Sequence, residues 1–239
     1  MSDIKSTREA DVATITIDRG GEGGKVTVDQ LRDLASAFRA AGASDAKLIA
    51  LRSAGNDFCR GRDPSRDQPS PHALAMRENV VKPILDVYEA ISLAPQPIVC
   101  AVQGGAFGFG CALATACDLT IAAADARFSL PEMEKNLPPT LAISAMIKRV
   151  APKALTWLVY TMEEIDAGTA MQLGIVSRVV PAADLRALTD KTIAGLVTRS
   201  REALAAVKEY IRVAPGMEPR GAADYGGSLL AAVLSSAKR

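Results

Sequence analysis

Hydrophobic and polar positions change period several times along the chain, and each change marks an element. Val12–Ile17 alternates with Ala13, Ile15 and Ile17 on one face, which predicts a half-buried strand. After the Val26–Asp29 entry, Leu31, Leu34, Ala35 and Phe38 recur at helical spacing. Leu48–Leu51 is a short apolar run closed by the turn signal Ser53–Asp57, and Val80, Ile84, Leu85, Tyr88 and Ile91 form the next helical stripe. Ile98–Val102 and Leu119–Ala123 are further apolar runs, separated by a glycine-rich segment and an apolar helix at Cys111–Cys117. This alternation predicts βα units around a largely parallel sheet. From about Leu141 onward helical signals dominate, and only Ile175–Val180 reads as a strand. The expected organisation is an α/β core over residues 1–195 and a helical region over 196–239, with a soft boundary.

Composition narrows the partners. With 239 residues, 49% hydrophobic and 23% charged, the chain can bury a sizeable core. A net charge of +1, with Lys and Arg dispersed, gives no footprint for nucleic acid. No apolar run approaches the roughly 20 residues that cross a bilayer, and no basic-plus-apolar leader is visible, so a soluble cytoplasmic protein is expected. Cys59, Cys100, Cys111 and Cys117 lie in or beside apolar stretches without metal-ligand spacing, and are expected to be reduced structural thiols. No metal site is expected.

The glycine-rich segment Gly104-Gly105-Ala106-Phe107-Gly108-Phe109-Gly110 follows a buried strand and opens a helix, the setting of a ligand loop at a helix N-terminus. Its spacing fits neither a dinucleotide fingerprint, because Leu113 stands where the third glycine belongs, nor a P-loop, because Cys111 follows Gly110. Tight strand-to-helix packing would explain the glycines equally well. The earlier strand, however, also ends in a glycine turn, Phe58-Cys59-Arg60-Gly61-Arg62-Asp63, and the carboxyl edge of an open α/β sheet is where ligands bind.

Four ordered segments carry a family resemblance. Phe58–Asp63 resembles the crotonase pattern F-C-x-G-x-D, and Ala101–Leu119 resembles A-V-x-G-x-A-x-G-x-G-x-x-L-x-x-x-C-D-L. Arg127–Glu132 resembles R-F-x-x-P-E, and Asp166–Pro181 resembles A-x-x-x-G-L-V-x-x-V-V-P. Matches run in family order from Val12 to about Val213. The chain is thus similar to the crotonase superfamily, the enoyl-CoA hydratase/isomerase family. The resemblance implies the crotonase-like (ClpP/crotonase) α/β fold, ββα units wound into a superhelix, with a C-terminal helical trimerisation region. It also implies an acyl-CoA thioester substrate, no cofactor beyond the coenzyme A of that substrate, and a homo-trimer or dimer of trimers.

Carried over by position, the resemblance makes the backbone N–H groups of Arg62 and Phe109 the oxyanion donors and Glu132 the acid/base. Arg60, Gly61, Asp63, Gly108, Pro139 and Thr140 fall at substrate-binding positions. Three departures stand out. Ala112 replaces the second glutamate usual in hydratases, so a single-base reaction, isomerase-like or otherwise, is favoured unless Glu134 or Asp118 supplies the second carboxylate. Phe109 replaces a glycine and is expected to add a ring to the pocket wall, with backbone strain if that position needs φ > 0. Leu137-Pro138-Pro139-Thr140 replaces a glycine-rich stretch and remodels the acyl end. A catalytically weak acyl-CoA-binding homologue is the alternative. His72, in a polar loop at Pro64–Pro71 and its exit, reads as solvated, and Trp157 and Tyr225 as packing residues.

Overall fold

The computed structural model describes residues 3–67 and 72–236. In chain order the elements are β1 (Ile4–Glu9), β2 (Val12–Ile17), α1 (Val28–Ala43), β3 (Leu48–Ser53), α2 (Ala73–Met76), α3 (Lys82–Leu93), β4 (Ile98–Val102) and β5 (Gly105–Phe107). They continue as α4 (Phe109–Ala116), β6 (Leu119–Ala123), β7 (Arg127–Ser129), α5 (Thr140–Met146), α6 (Pro152–Thr161), β8 (Ile165–Asp166) and α7 (Ala167–Gln172). The chain ends in β9 (Arg178–Val180), α8 (Leu185–Val197), α9 (Arg201–Val213) and α10 (Pro219–Ser236). The main sheet has the order β1-β2-β3-β4-β6-β9, and a small second sheet has the order β5-β7-β8.

All neighbours in the main sheet are parallel except β1 with β2. Every residue of β4 is buried, as a central strand covered on both faces requires. β1 was not apparent from periodicity, because this edge strand buries only Ile4. β5, β7 and β8 also escaped the pattern, being two or three residues long. The strand expected at Ile175–Val180 shortens to Arg178–Val180, with Ile175 and Val176 buried in the turn before it. A capping box formed by Thr27 and Gln30 starts α1, which explains why the polar Gln30 is buried there. One π-turn, Arg77–Val81, interrupts the helical stripe before α3.

Helix α8 spans the boundary expected at residue 195, and α9 is fastened to the core beyond it. The fastening is Lys208, whose ammonium reaches Asp118 at 2.9 Å and the carbonyls of Ile91 and Gln96 at 3.0 Å each. All three N–H donors of the buried lysine are thereby used. Among the described residues no helix is long and apolar enough to cross a membrane.

Candidate active site

Three chain segments lie side by side and end together. A parallel bridge sets Cys59 opposite Ala106, through Cys59 N–H to the Gly105 carbonyl (3.0 Å) and Phe107 N–H to the Cys59 carbonyl (2.9 Å). In the small sheet Ala106 is in turn opposite Phe128. Counting on from that register brings Arg62, Phe109 and the Pro131-Glu132 turn to one edge. The element that aligns them is β5, inside the stretch that reads from sequence only as a glycine loop.

Two backbone N–H groups are left over at this edge. Asp63 N–H bonds the Val26 carbonyl (2.8 Å) and the Gly61 carbonyl accepts from Val26 N–H (3.1 Å), while the amide between them, that of Arg62, has no acceptor among the described residues. Gly108 N–H bonds the Ser129 carbonyl (2.9 Å), and Phe109 opens α4, where the first N–H has no intrahelical partner. Glycines make these turns possible. Gly108 has φ 52° and ψ −115°, and a β-carbon there would lie 2.7 Å from Glu132 Oε1. At Gly110 a β-carbon would meet the Cys59 carbonyl at 1.9 Å, so only glycine lets α4 start against the first turn.

Phe109 does not behave as its sequence position suggested. Its φ is not positive; the left-handed conformation falls on Gly108 instead, so Phe109 needs no strained backbone. Its ring is 6% exposed and stacks on Tyr88 of α3, with centroids 5.8 Å apart and planes at 23°. The side chain thus turns back into the fold while its amide stays at the edge.

Glu132 sits in the 3₁₀ turn Pro131–Lys135. Its carboxylate lies against Gly108, the residue before Phe109, and Oε2 is enclosed with no hydrogen-bond partner among the described residues. Burial pushes its pKa above the ordinary glutamate value, offset in part by its own backbone N–H. Ala112 is wholly buried one turn into α4. Asp118 accepts from Ile98 N–H at 2.8 Å and from Lys208, and Glu134 is exposed.

The remaining candidates divide by what they touch. Arg60 packs over the Phe107 ring at 4.7 Å and pairs with Asp57 at 3.6 Å, both beside the aligned turns. Gly61 has φ 107°, with its missing β-carbon site 3.3 Å from the Phe107 carbonyl. Asp63 caps the turn Pro64–Arg66 through Ser65 N–H (3.0 Å) and lies 3.7 Å from Arg19. The Arg62 side chain makes a two-bond pair with Asp67, at 3.0 and 2.5 Å. Pro139 is buried at the start of α5, while Thr140 beside it is exposed. Residues 68–71 of the expected polar loop lie outside the described residues, and His72 caps α2 by accepting Ala75 N–H on Nδ1 at 3.2 Å. All four cysteines are buried free thiols, and burial pushes Cys59 and Cys111 up to about 12.

Two turns that present unpaired amides, with a desolvated carboxylate against one of them, define a class of site that can stabilise an oxyanion while moving a proton next to it. Comparison with known proteins supplies the family. The model of the enoyl-CoA hydratase/isomerase family matches residues 7–223, and the chain belongs to that family. It is similar to 2,3-dehydroadipyl-CoA hydratase of Escherichia coli K12, 30% identical over 216 residues, 89% of this chain and 82% of the other. It is also similar to a short-chain-enoyl-CoA hydratase of Clostridium acetobutylicum, 26% identical over 77% of this chain and 71% of the other. Among solved structures, an enoyl-CoA hydratase of Mycobacterium smegmatis superposes with a TM-score of 0.91 at 27% identity, covering 97% of this chain and 91% of that one. The fold is therefore crotonase-like, and the protein is an acyl-CoA-processing enzyme of this family.

Proposed function

We propose that the chain binds an acyl-CoA thioester, holds the thioester oxygen with the amides of Arg62 and Phe109, and moves a proton with Glu132. The observation that carries this reading is the shared register that ends Cys59–Arg62, Ala106–Phe109 and Phe128–Glu132 at one edge. Removing a proton α to a thioester places negative charge on its oxygen, and each fixed donor aimed there contributes on the order of 3 kcal/mol. In a 3-enoyl thioester the Glu132 carboxylate takes the α-proton, the charge spreads to the oxygen, and the same carboxyl returns the proton at the γ-carbon. Nothing else is consumed. Arg60, Gly61, Asp63, Gly108, Pro139 and Thr140 are proposed to line the thioester, and coenzyme A enters only as part of it.

Ala112 favours this single-base reaction, since addition of water is usually shared by two carboxylates and Asp118 is occupied by Lys208 and Ile98. A single-base hydratase is the second reading, favoured by the hydratase names of the relatives. The binding-only alternative assumed a blocking Phe109 ring, and the stack on Tyr88, with the ring buried, supports catalysis over it. A panel of 2-enoyl, 3-enoyl and 3-hydroxyacyl thioesters, followed by mass and ultraviolet detection, separates the readings: isomerisation leaves mass unchanged, hydration adds one water, and binding without turnover returns the alternative. We also propose a homo-trimer or dimer of trimers, built with residues 196–239. The exposed apolar side chains Val207, Ile211, Leu230 and Leu234 on α9 and α10 support it, and a monomer by light scattering at micromolar concentration counts against it.

A further inference from the structure

Arg19, just past the end of β2, is a charged side chain held inside the fold. It is 6% exposed, and its guanidinium faces three carboxylates: Asp3 at 3.0 Å, Glu22 in direct hydrogen-bond contact, and Asp63 at 3.7 Å. Its Nε is enclosed and has no partner among the described residues. A buried donor is seldom left unsatisfied without a reason. Here the planar fork is turned so that both terminal nitrogens reach carboxylates, at the expense of Nε.

Those carboxylates include one on each of the two segments that hold the first turn. Residues 23–26 run beside residues 60–63: Arg60 N–H bonds the Gly23 carbonyl (2.9 Å), Val26 N–H the Gly61 carbonyl (3.1 Å) and Asp63 N–H the Val26 carbonyl (2.8 Å). The Gly61 carbonyl and the Arg62 N–H belong to one planar trans peptide, so they point in opposite directions. Fixing that carbonyl on Val26 therefore aims the Arg62 N–H away from Val26. Arg19 closes the arrangement at both ends. Its carbonyl accepts Glu22 N–H and Gly24 N–H (3.0 Å each) on the segment leading to Val26, and its guanidinium bridges Glu22 to Asp63 at the end of the other segment.

We propose that Arg19 is a positioning residue for the reaction: through Glu22 and Asp63 it holds the two segments in the register that aims the Arg62 N–H at the thioester oxygen. The proposal rests on reading the Arg62 amide as an oxyanion donor and specifies what keeps that amide aimed.

The test is Arg19→Met, which removes the fork, with Arg19→Lys beside it, which keeps one charge without the fork. The readout is the carbonyl stretch of saturating butyryl-CoA, an unreactive thioester labelled with carbon-13 at its carbonyl, by infrared difference spectroscopy. Two aimed donors should lower this stretch in the parent relative to free butyryl-CoA. In Arg19→Met roughly half of that lowering should be lost, because one of the two donors is misaimed, and Arg19→Lys should fall between. On whichever enoyl thioester is turned over, kcat should fall on the order of tenfold with KM little changed. A side chain that only stabilises the fold would lower the melting temperature and leave the bound carbonyl as in the parent, and that result overturns the proposal. A parent that leaves the carbonyl at its free frequency removes the oxyanion reading itself, and the proposal with it. If Arg19→Met does not fold, Asp63→Asn replaces it, keeping a side-chain oxygen for Ser65 N–H and losing the charge that faces Arg19. The same partial loss of the lowering is expected, and an unchanged stretch again overturns the proposal.

Discussion

Glu132 and Asp118 are carboxylates on neighbouring parts of one fold, and they are treated in opposite ways. Asp118 receives Ile98 N–H and the Lys208 ammonium, with Arg149 at 3.9 Å. Among the described residues Glu132 receives no cation, and one of its oxygens is enclosed without any donor. Satisfying a carboxylate this fully makes it a strut: its charge is spent on holding α9 to the sheet. Leaving one without partners, in a place where desolvation favours its protonated form, suits the proton exchange proposed for it. Partner count, more than burial, separates the two roles.

The sharpest way to break this contrast is Glu132→Gln. It preserves shape and removes the proposed base, so kcat should drop by at least about 100-fold while calorimetric affinity for a CoA thioester stays close to that of the parent. Full turnover would remove Glu132 from the mechanism. The opposite pole is probed by Lys208→Met, which leaves Asp118 and two carbonyls short of a donor; urea unfolding should show a loss of about 2–4 kcal/mol, with kcat of the folded fraction nearly unchanged.

Ala112→Glu sharpens the contrast by giving Glu132 a carboxylate neighbour. Water addition to a 2-enoyl thioester should become measurable, at a cost in thermal stability because the position is wholly buried. The smallest effect concerns pH. A carboxyl whose folded pKa is raised favours the folded state most when protonated, below its ordinary value of 4.5, and loses that contribution as pH rises through the folded value. Glu132→Gln does not titrate, so it should melt above the parent at pH 7, and the gap should close on acidification. A gap that widens toward low pH would contradict the desolvated state of Glu132.

The main sheet was legible because β2, β3, β4 and β6 are long enough to show alternation or continuous burial. Glu132 and the two amide positions were legible only through motif resemblance, since an isolated glutamate or backbone N–H has no periodicity. What stayed hidden is the small sheet. β5 consists of Gly105, Ala106 and Phe107, which no propensity distinguishes from a loop, and its partners are set by register across distant segments. The direction of the Phe109 ring was hidden for a related reason: it depends on Tyr88, twenty-one positions earlier and on another helix.

The close approach of Gly110 to the Cys59 carbonyl bears on how such a site can change over time. Contacts made by main chain cannot be altered by exchanging the side chains of the residues that make them. Arg62 and Phe109 therefore occupy positions where many residue types leave the amides in place, and Arg62 indeed spends its side chain on Asp67. Gly108 and Gly110 admit almost none. A library that randomises Arg62 and Phe109 should retain many thioester-binding members, whereas one that randomises the two glycines should retain the parent and little else. With the two amides polarising the thioester as proposed, the pocket lining can drift while that centre stays put, which gives a lineage room to try new acyl groups without first losing its chemistry.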